Sequence, residues 1–418
     1  MLGSTFFMSR LRLPAVAAGA VAAALLLWYA VLWANVTSNE VARSDFTSTY
    51  VGATLLREGR GPALYAAAAQ AQVQMSATAP LSVPNLAFVN PPGAAVIALP
   101  VTLLPLSAAY RVWQALQLGL LLVAVVLVAR AAPWPERLRG TGVVPGAAAV
   151  GLAGVGTLSL GLLGQWDGLS ALGMAGAYVL WRRNALFSGG LVLTLTAAVA
   201  KPHLAIGLGA LLLGWRDRRI LVGAALGVLI AGAVAVLAVG PVGLGTFVGA
   251  LSDDAARWPL ASMLGFTGLT GSWLGNGAAA TALAGAFSLG ALVVCVRLGA
   301  RLRADRTALD LCLAGAAVLS LLASPHMLSQ DLALLAPVLV WVLAGAAAAD
   351  GTARWPGVGS RVALLSWVVL TAAAGADLGS GAAAPPGRLV PVVLLVLAAL
   401  LLSKPSPRRL AVRPRPAS

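Results

Sequence analysis

Asp45 is the side chain in this sequence best placed for acid–base chemistry. It follows the first long apolar run by about ten residues, within Ser44-Asp45-Phe46, and Tyr50 stands five positions on. A carboxylate held where a membrane helix meets water can take a proton from a hydroxyl. Aromatic neighbours suit either the face of a sugar ring or the interfacial belt of a membrane protein. Lys201 is the only lysine before the C-terminal tail and lies in Ala198-Val199-Ala200-Lys201-Pro202-His203. An ionisable group within an apolar stretch is costly and marks function by default. At a proline-broken helix such a cation suits a phosphate, the alternative being a snorkelling lysine. His326 and Asp331 share Ser324-Pro325-His326-Met327-Leu328-Ser329-Gln330-Asp331. A helix opened by Pro325 puts His326 and Gln330 one turn apart on one face, with Asp331 offset; the alternative is a hydrogen-bonded structural histidine. Gln165 and Asp167 flank Trp166 and either bind sugar hydroxyls or cap a helix, and Arg257-Trp258, after Asp253-Asp254, form a lid or a belt.

The elements that must hold these residues are membrane helices. The chain has 418 residues, 60% of them hydrophobic and only 10% charged, against about 25% charged in soluble proteins. Its apolar runs are continuous and rich in Ala, Leu and Val, which fits helices and not the alternating strands of a barrel. Of the 28 basic residues, 21 fall in the N-terminus, five short loops and the C-terminal tail. This is the positive-inside bias, which places both termini in the cytosol and the polar stretches around the candidate residues outside. The segment 91–106, broken by Pro91, Pro92, Pro100 and Pro105, then reads as a short arm at the outer face. After a first span near 14–34, crossings are expected near 107–130, 143–163, 168–181, 186–200, 203–215, 220–240, 276–296, 307–323, 329–347, 361–376 and 388–403. The predicted fold is an all-α integral membrane protein, a polytopic bundle of about twelve transmembrane helices. Residues 1–13 form a cytoplasmic N-terminus, 14–403 one multispan domain with 37–106 as its first outer loop and proline-rich juxtamembrane segment, and 404–418 a basic cytoplasmic tail.

Several function classes fall away. The net charge of +15 gathers on the inner side, where it meets anionic lipid heads, and nucleic acid is not an expected partner. With two histidines and two cysteines, Cys295 and Cys312, both in predicted helices, no metal site is expected. No Gly-rich phosphate loop or soluble nucleotide domain is present in the pattern. Of the 13 acids, Asp310 sits one turn from Arg306 and is expected to pair with it or to snorkel. Arginine, alanine and glycine usage points to a GC-rich bacterial genome, hence a bacterial plasma membrane.

Several of these segments together resemble a known family. They are Ser44-Asp45-Phe46 with Tyr50, Leu56–Gly59, Leu64-Tyr65, Phe88-Val89-Asn90-Pro91-Pro92 through Pro100, Leu104-Pro105, Trp113, Gly164-Gln165, Lys201-Pro202, and Ser324-Pro325-His326 with Asp331. In order and spacing, over about 40–345, the chain is similar to the glycosyltransferase family 87 mannosyltransferases. The resemblance implies a type-C glycosyltransferase fold and inverting transfer of a sugar, usually mannose, from a polyprenyl-phosphate donor. The acceptor is a glycolipid or glycan on the extracytoplasmic face. It implies Asp45 as the catalytic base and places the His326 segment near the active site; Tyr50, Tyr65, Asn90, Gln165, Asp167, Lys201, His203, Arg257, His326 and Asp331 are the candidate substrate-binding residues. No cofactor or divalent metal is required: a lipid phosphate is a good leaving group, one base activates the acceptor, and a cation steadies the departing phosphate. Trp166-Asp167 departs from the family pattern after Gly164-Gln165. The competing classes are a polytopic transporter or lipid flippase, for which no internal repeat is visible, and a non-catalytic scaffold.

Overall fold

The computed structural model describes residues 3–140, 142–349, 358–380 and 389–402. The described residues form helices and no strand. Helix α1 (Gly3–Ala34) is followed by a capped turn into α2 (Ser38–Ala42). There the Thr37 amide donates to the Glu40 carboxylate at 2.7 Å and the Glu40 amide to Thr37 Oγ1 at 3.3 Å, a reciprocal capping box. Those bonds hold the Glu40 carboxyl below its usual range. Three more short helices complete the outer segment: α3 (Asp45–Arg57), α4 (Ala67–Thr78) and α5 (Pro92–Ala98). A 3-10 turn, Leu99–Leu103, follows α5, so the proline-rich stretch is two short helical pieces and not one long helix. Pro92 opens α5, where its missing N–H costs nothing.

This segment has a hydrophobic core of its own. Phe46, Val51, Leu55, Leu64 and Phe88 are fully buried there, packed with Tyr110, Trp113 and Trp166 from the membrane helices. A larger second core fills the membrane part. Its first contributors are α6 (Leu106–Ala131), α7 (Val143–Leu152), α8 (Val155–Leu163), α9 (Asp167–Arg182), α10 (Leu186–Val199) and α11 (Ile206–Trp215), and residues 309–344 supply much of the rest. The chain continues through α12 (Arg218–Arg257), which is kinked at Gly240-Pro241, then α13 (Phe266–Leu274), α14 (Ala278–Ala304), α15 (Leu309–Ala323), a 3-10 turn at Ser329–Leu334, α16 (Leu335–Ala349), α17 (Val358–Ser380) and α18 (Leu389–Leu402). On α12 and α14, Leu229, Leu237 and Leu289 are 68%, 87% and 64% exposed. Apolar surface of that kind on long helices needs lipid as its solvent, and the chain is a multi-pass membrane protein.

By length and apolarity alone, the described helices support fewer crossings than the twelve expected from the sequence. Among the described residues six helices are long and apolar enough to cross, and a seventh crossing forms if α7 and α8, bent by 53°, are one span. The bend falls at Gly154, where an added Cβ would lie 2.3 Å from the Trp367 ring. Other apolar helices, such as α9 with 16 residues and α10 with 14, are shorter than those six, and a straight crossing needs about 20. Hydropathy counts apolar runs; it does not see where a run is broken by a polar turn.

Small residues set the close packing of α10 and α12. On α12 a Cβ at Gly223 would lie 2.1 Å from the Phe187 carbonyl oxygen, and on α10 one at Gly190 would lie 2.3 Å from that of Ile220. Such contacts let backbones approach and gain dispersion where lipid offers no hydrophobic drive. At the arginine-rich ends, Arg182 pairs with Asp310 at 2.9 Å, and Arg306 with Asp217 at 3.1 Å and with the Asn184 side chain at 2.8 Å. The expected Asp310–Arg306 pair is therefore corrected. Arg306 lies in a 3-10 turn capped by Asp305, before α15 begins, so helical one-turn spacing does not apply. Arg182 instead places its cation at the C-terminus of α9, where the helix dipole favours it. Cys295 and Cys312 are buried as packing residues.

Candidate active site

Asp45 is delivered by the end of α1. The Arg111 guanidinium donates to the carbonyls of Trp33, Ala34 and Val36, satisfying acceptors that a helix C-terminus leaves open. Tyr29 and Trp33 donate to the Ala153 and Leu158 carbonyls at 2.9 and 3.1 Å, tying α1 to α7 and α8. After α2, the Ser44 and Thr47 hydroxyls both donate to the Val41 carbonyl, at 2.7 and 2.8 Å. Phe46 anchors the next position between Tyr110 and Trp113, with ring centroids 5.8 and 6.0 Å away. Asp45 is thus the first residue of α3, half-buried, with its backbone fixed on both sides.

The tetrapeptide between α8 and α9 meets it. Gly164 is left-handed (φ 65°), and a Cβ there would lie 2.8 Å from the Phe46 Cβ. Its carbonyl accepts from Trp113 Nε1 at 2.9 Å. Gln165 Nε2 donates to Asp45 Oδ2 at 2.6 Å. Trp166, fully buried, donates to Thr49 Oγ1 at 3.2 Å and stands edge-on to Trp113 at 4.6 Å. Asp167 then opens α9.

Lys201 lies in the break between α10 and the turn Pro202–Ala205. Its ammonium donates to Asp167 Oδ2 and Oδ1 at 3.0 and 3.2 Å and to Asp331 Oδ1 at 2.6 Å. All three side chains are buried. An isolated buried ion costs several kcal/mol, and opposite charges with good hydrogen bonds offset that cost. Asp331 Oδ2 also accepts from the Leu328 amide at 2.7 Å. This cap starts the helical turn at Ser329, and the Leu264 amide holds the Met327 carbonyl at 2.8 Å. Residues 324–328 are consequently a loop. Pro325 opens no helix, and the expected single face of His326 and Gln330 does not form: His326 is on the loop and Gln330 is buried in the turn. The His326 ring stands edge-on to His203 at 6.5 Å and to Trp258 at 6.1 Å.

Burial pushes the Asp45 carboxyl above the usual carboxylate range, with Asp331 adding to the rise. The Gln165 bond and the charges of Lys201 and His326 pull the other way. A carboxylate in this setting is a stronger base when ionised than a solvated one.

The structure therefore brings Asp45, Gln165, Asp167, Lys201, His203, His326 and Asp331 into one cluster. Tyr50, Tyr65 and Asn90 lie in the outer core. The Tyr50 hydroxyl donates to the Leu104 carbonyl at 2.9 Å, and Tyr65 to the Asn90 carbonyl at 2.8 Å, with the Tyr65 ring against Phe88 and Phe247. Arg257 ends α12, and its side chain lies outside the described residues. Sequence reasoning missed Thr49, and it missed that Lys201 has two acid partners. The signal was present: a lysine in an apolar stretch calls for carboxylates, and Asp167 and Asp331 stand outside the arginine-rich loops.

The family model for glycosyltransferase family 87 matches residues 88–325, more than half of the chain. The match takes in Gln165, Asp167, Lys201 and His203, begins after Asp45 and ends just before His326. No curated protein and no solved structure matches the chain.

Proposed function

The chain belongs to glycosyltransferase family 87, and we propose that it moves mannose from a polyprenyl-phosphate donor to a hydroxyl of a glycolipid or glycan acceptor, with inversion. We place the reaction on the extracytoplasmic face of a bacterial plasma membrane, with about twelve crossings and both termini in the cytosol, as the arginine distribution supports. Family membership favours transfer over the transporter and flippase readings.

The observation that carries the assignment of roles is the Asp45 carboxylate. Gln165 holds Oδ2, and among the described residues no donor meets Oδ1. Oδ1 takes the proton of the acceptor hydroxyl as its oxygen attacks the anomeric carbon. The bond from that carbon to the phosphate oxygen breaks, and polyprenyl phosphate leaves with the electron pair. His203 and His326 supply N–H donors for that phosphate, while Lys201 spends its donors on Asp167 and Asp331 and so ties the segments of the site together, in place of the phosphate contact expected from the sequence. The half-exposed Trp258 edge borders His326.

The test is transfer by the purified protein from polyprenyl-phosphate mannose to a panel of glycolipid acceptors. Asp45→Asn keeps the shape and removes the base, and turnover is expected to fall by about 10²–10⁴-fold with donor binding retained. Near wild-type transfer by Asp45→Asn, with loss in Asp331→Asn or Asp167→Asn, would reassign the base. Failure of the wild-type protein to transfer from any lipid-linked sugar would overturn the donor class.

A further inference from the structure

We propose that Gln165 is a positioning residue for the Asp45 carboxylate, held in register by the tetrapeptide Gly164–Asp167. This rests on Asp45 being the base. The amide–carboxylate bond is 2.6 Å long and joins positions 120 residues apart. Hydrogen bonds to an ionised acceptor are shorter and about twice as strong as neutral ones. A donor on Oδ2 fixes the plane of the carboxylate and so the direction in which Oδ1 points.

Each neighbour of Gln165 is itself tied down. The Gly164 carbonyl is held by Trp113 at 2.9 Å, Trp166 donates to Thr49 at 3.2 Å, and Asp167 receives Lys201 at 3.0 Å. Thr49 follows Asp45 by four residues, so both lie on one face of α3. Gln165 and Trp166 therefore grip that face at two consecutive turns, which resists rotation of α3 about its axis. A glutamine that served only a sugar hydroxyl would need none of this bracing, and its amide would not be directed at the base. Geometry of this kind matters to rate because a general base must lie within hydrogen-bond reach of its proton, and a misplacement of about 1 Å can cost about 10²-fold.

The experiment compares wild type, Asp45→Asn, Gln165→Leu and Gln165→Glu in detergent, with polyprenyl-phosphate mannose and the acceptor found above, across pH. For Gln165→Leu, kcat is expected to fall roughly 10–10²-fold, with KM for donor and acceptor within about twofold of wild type. The acid limb of kcat/KM should move to higher pH, because the ionised form of Asp45 has lost its donor. Gln165→Glu, of the same size, should move that limb further, since two carboxyls at this spacing share one proton. If Gln165→Leu does not purify as a folded protein, Gln165→Glu decides on the same readouts. A raised KM with unchanged kcat and acid limb would make Gln165 a substrate contact and overturn the proposal. An inactive Asp45→Asn beside Gln165 variants of wild-type kcat would overturn this inference alone. An active Asp45→Asn would overturn it together with the assignment of the base.

Discussion

One ammonium between two buried carboxylates gives the heart of this site a formal charge of minus one. That balance orders the effects of substitution. Lys201→Met leaves Asp167 and Asp331 facing each other unpaired, and removing one partner of a buried ion pair costs about 3–5 kcal/mol. Asp167→Asn leaves a neutral Lys201–Asp331 pair at 2.6 Å and should cost far less. Thermal unfolding of the two variants in detergent checks the order, and equal losses would show that the charges are not what holds the three segments. The members of this group were legible one at a time, because an apolar sequence makes each charged residue conspicuous. Their pairing was not, since the partners of Lys201 lie 34 and 130 residues away and no local rule links such distances. The same holds for Gln165, whose amide reads equally well as a sugar contact until Asp45 is seen opposite it. Tyr50 and Tyr65 show the converse: an aromatic with a hydroxyl resembles a ligand contact, but here the hydroxyls meet backbone carbonyls.

Among the elements, the link between α8 and α9 is the most constrained. Gly164 combines a left-handed backbone with a Cβ position 2.8 Å from Phe46. Gly164→Ala should therefore cost the left-handed penalty of about 1–2 kcal/mol and a further 1–3 kcal/mol or so of overpacking. Gly59, with φ 72° and open space around its Cβ position, should cost about the first amount alone when replaced by Ala. Comparing the two melting temperatures tests this, and a smaller loss at Gly164 would contradict the contact with Phe46. The long apolar helices α6, α12 and α14 were plain from hydropathy. The small helices of the outer segment were not, because residues 37–90 read only as polar chain, while their buried positions are scattered among Ala, Thr and Gln. The bend between α7 and α8 was hidden too: it depends on Trp367, which packs there from more than 200 positions on.

Across the whole molecule, α9, α10 and α15 stand as three columns with a common base and a common top. Arg182–Asp310, Arg306–Asp217 and Arg306–Asn184 join the ends at one side, and the Asp167–Lys201–Asp331 group joins the other. Three arginine-rich loops therefore share one side, which agrees with the charge bias. Reporter fusions at Arg139, Arg219, Arg303 and the C-terminus should all read as cytosolic; an external signal at Arg303 would invert this arrangement. Of these columns α9 and α10 have 16 and 14 residues, or about 21–24 Å at 1.5 Å per residue. The hydrocarbon layer is about 30 Å thick. The shortfall, roughly 6–9 Å, has to be absorbed by a pinched leaflet or by water drawn down over the columns, at a fraction of a kcal/mol per Å of mismatch. Bilayer thickness thereby becomes a property of the site itself, for the proposed lipid-phosphate donor, riding at headgroup level, reaches these buried side chains only where the membrane dips to bring it there.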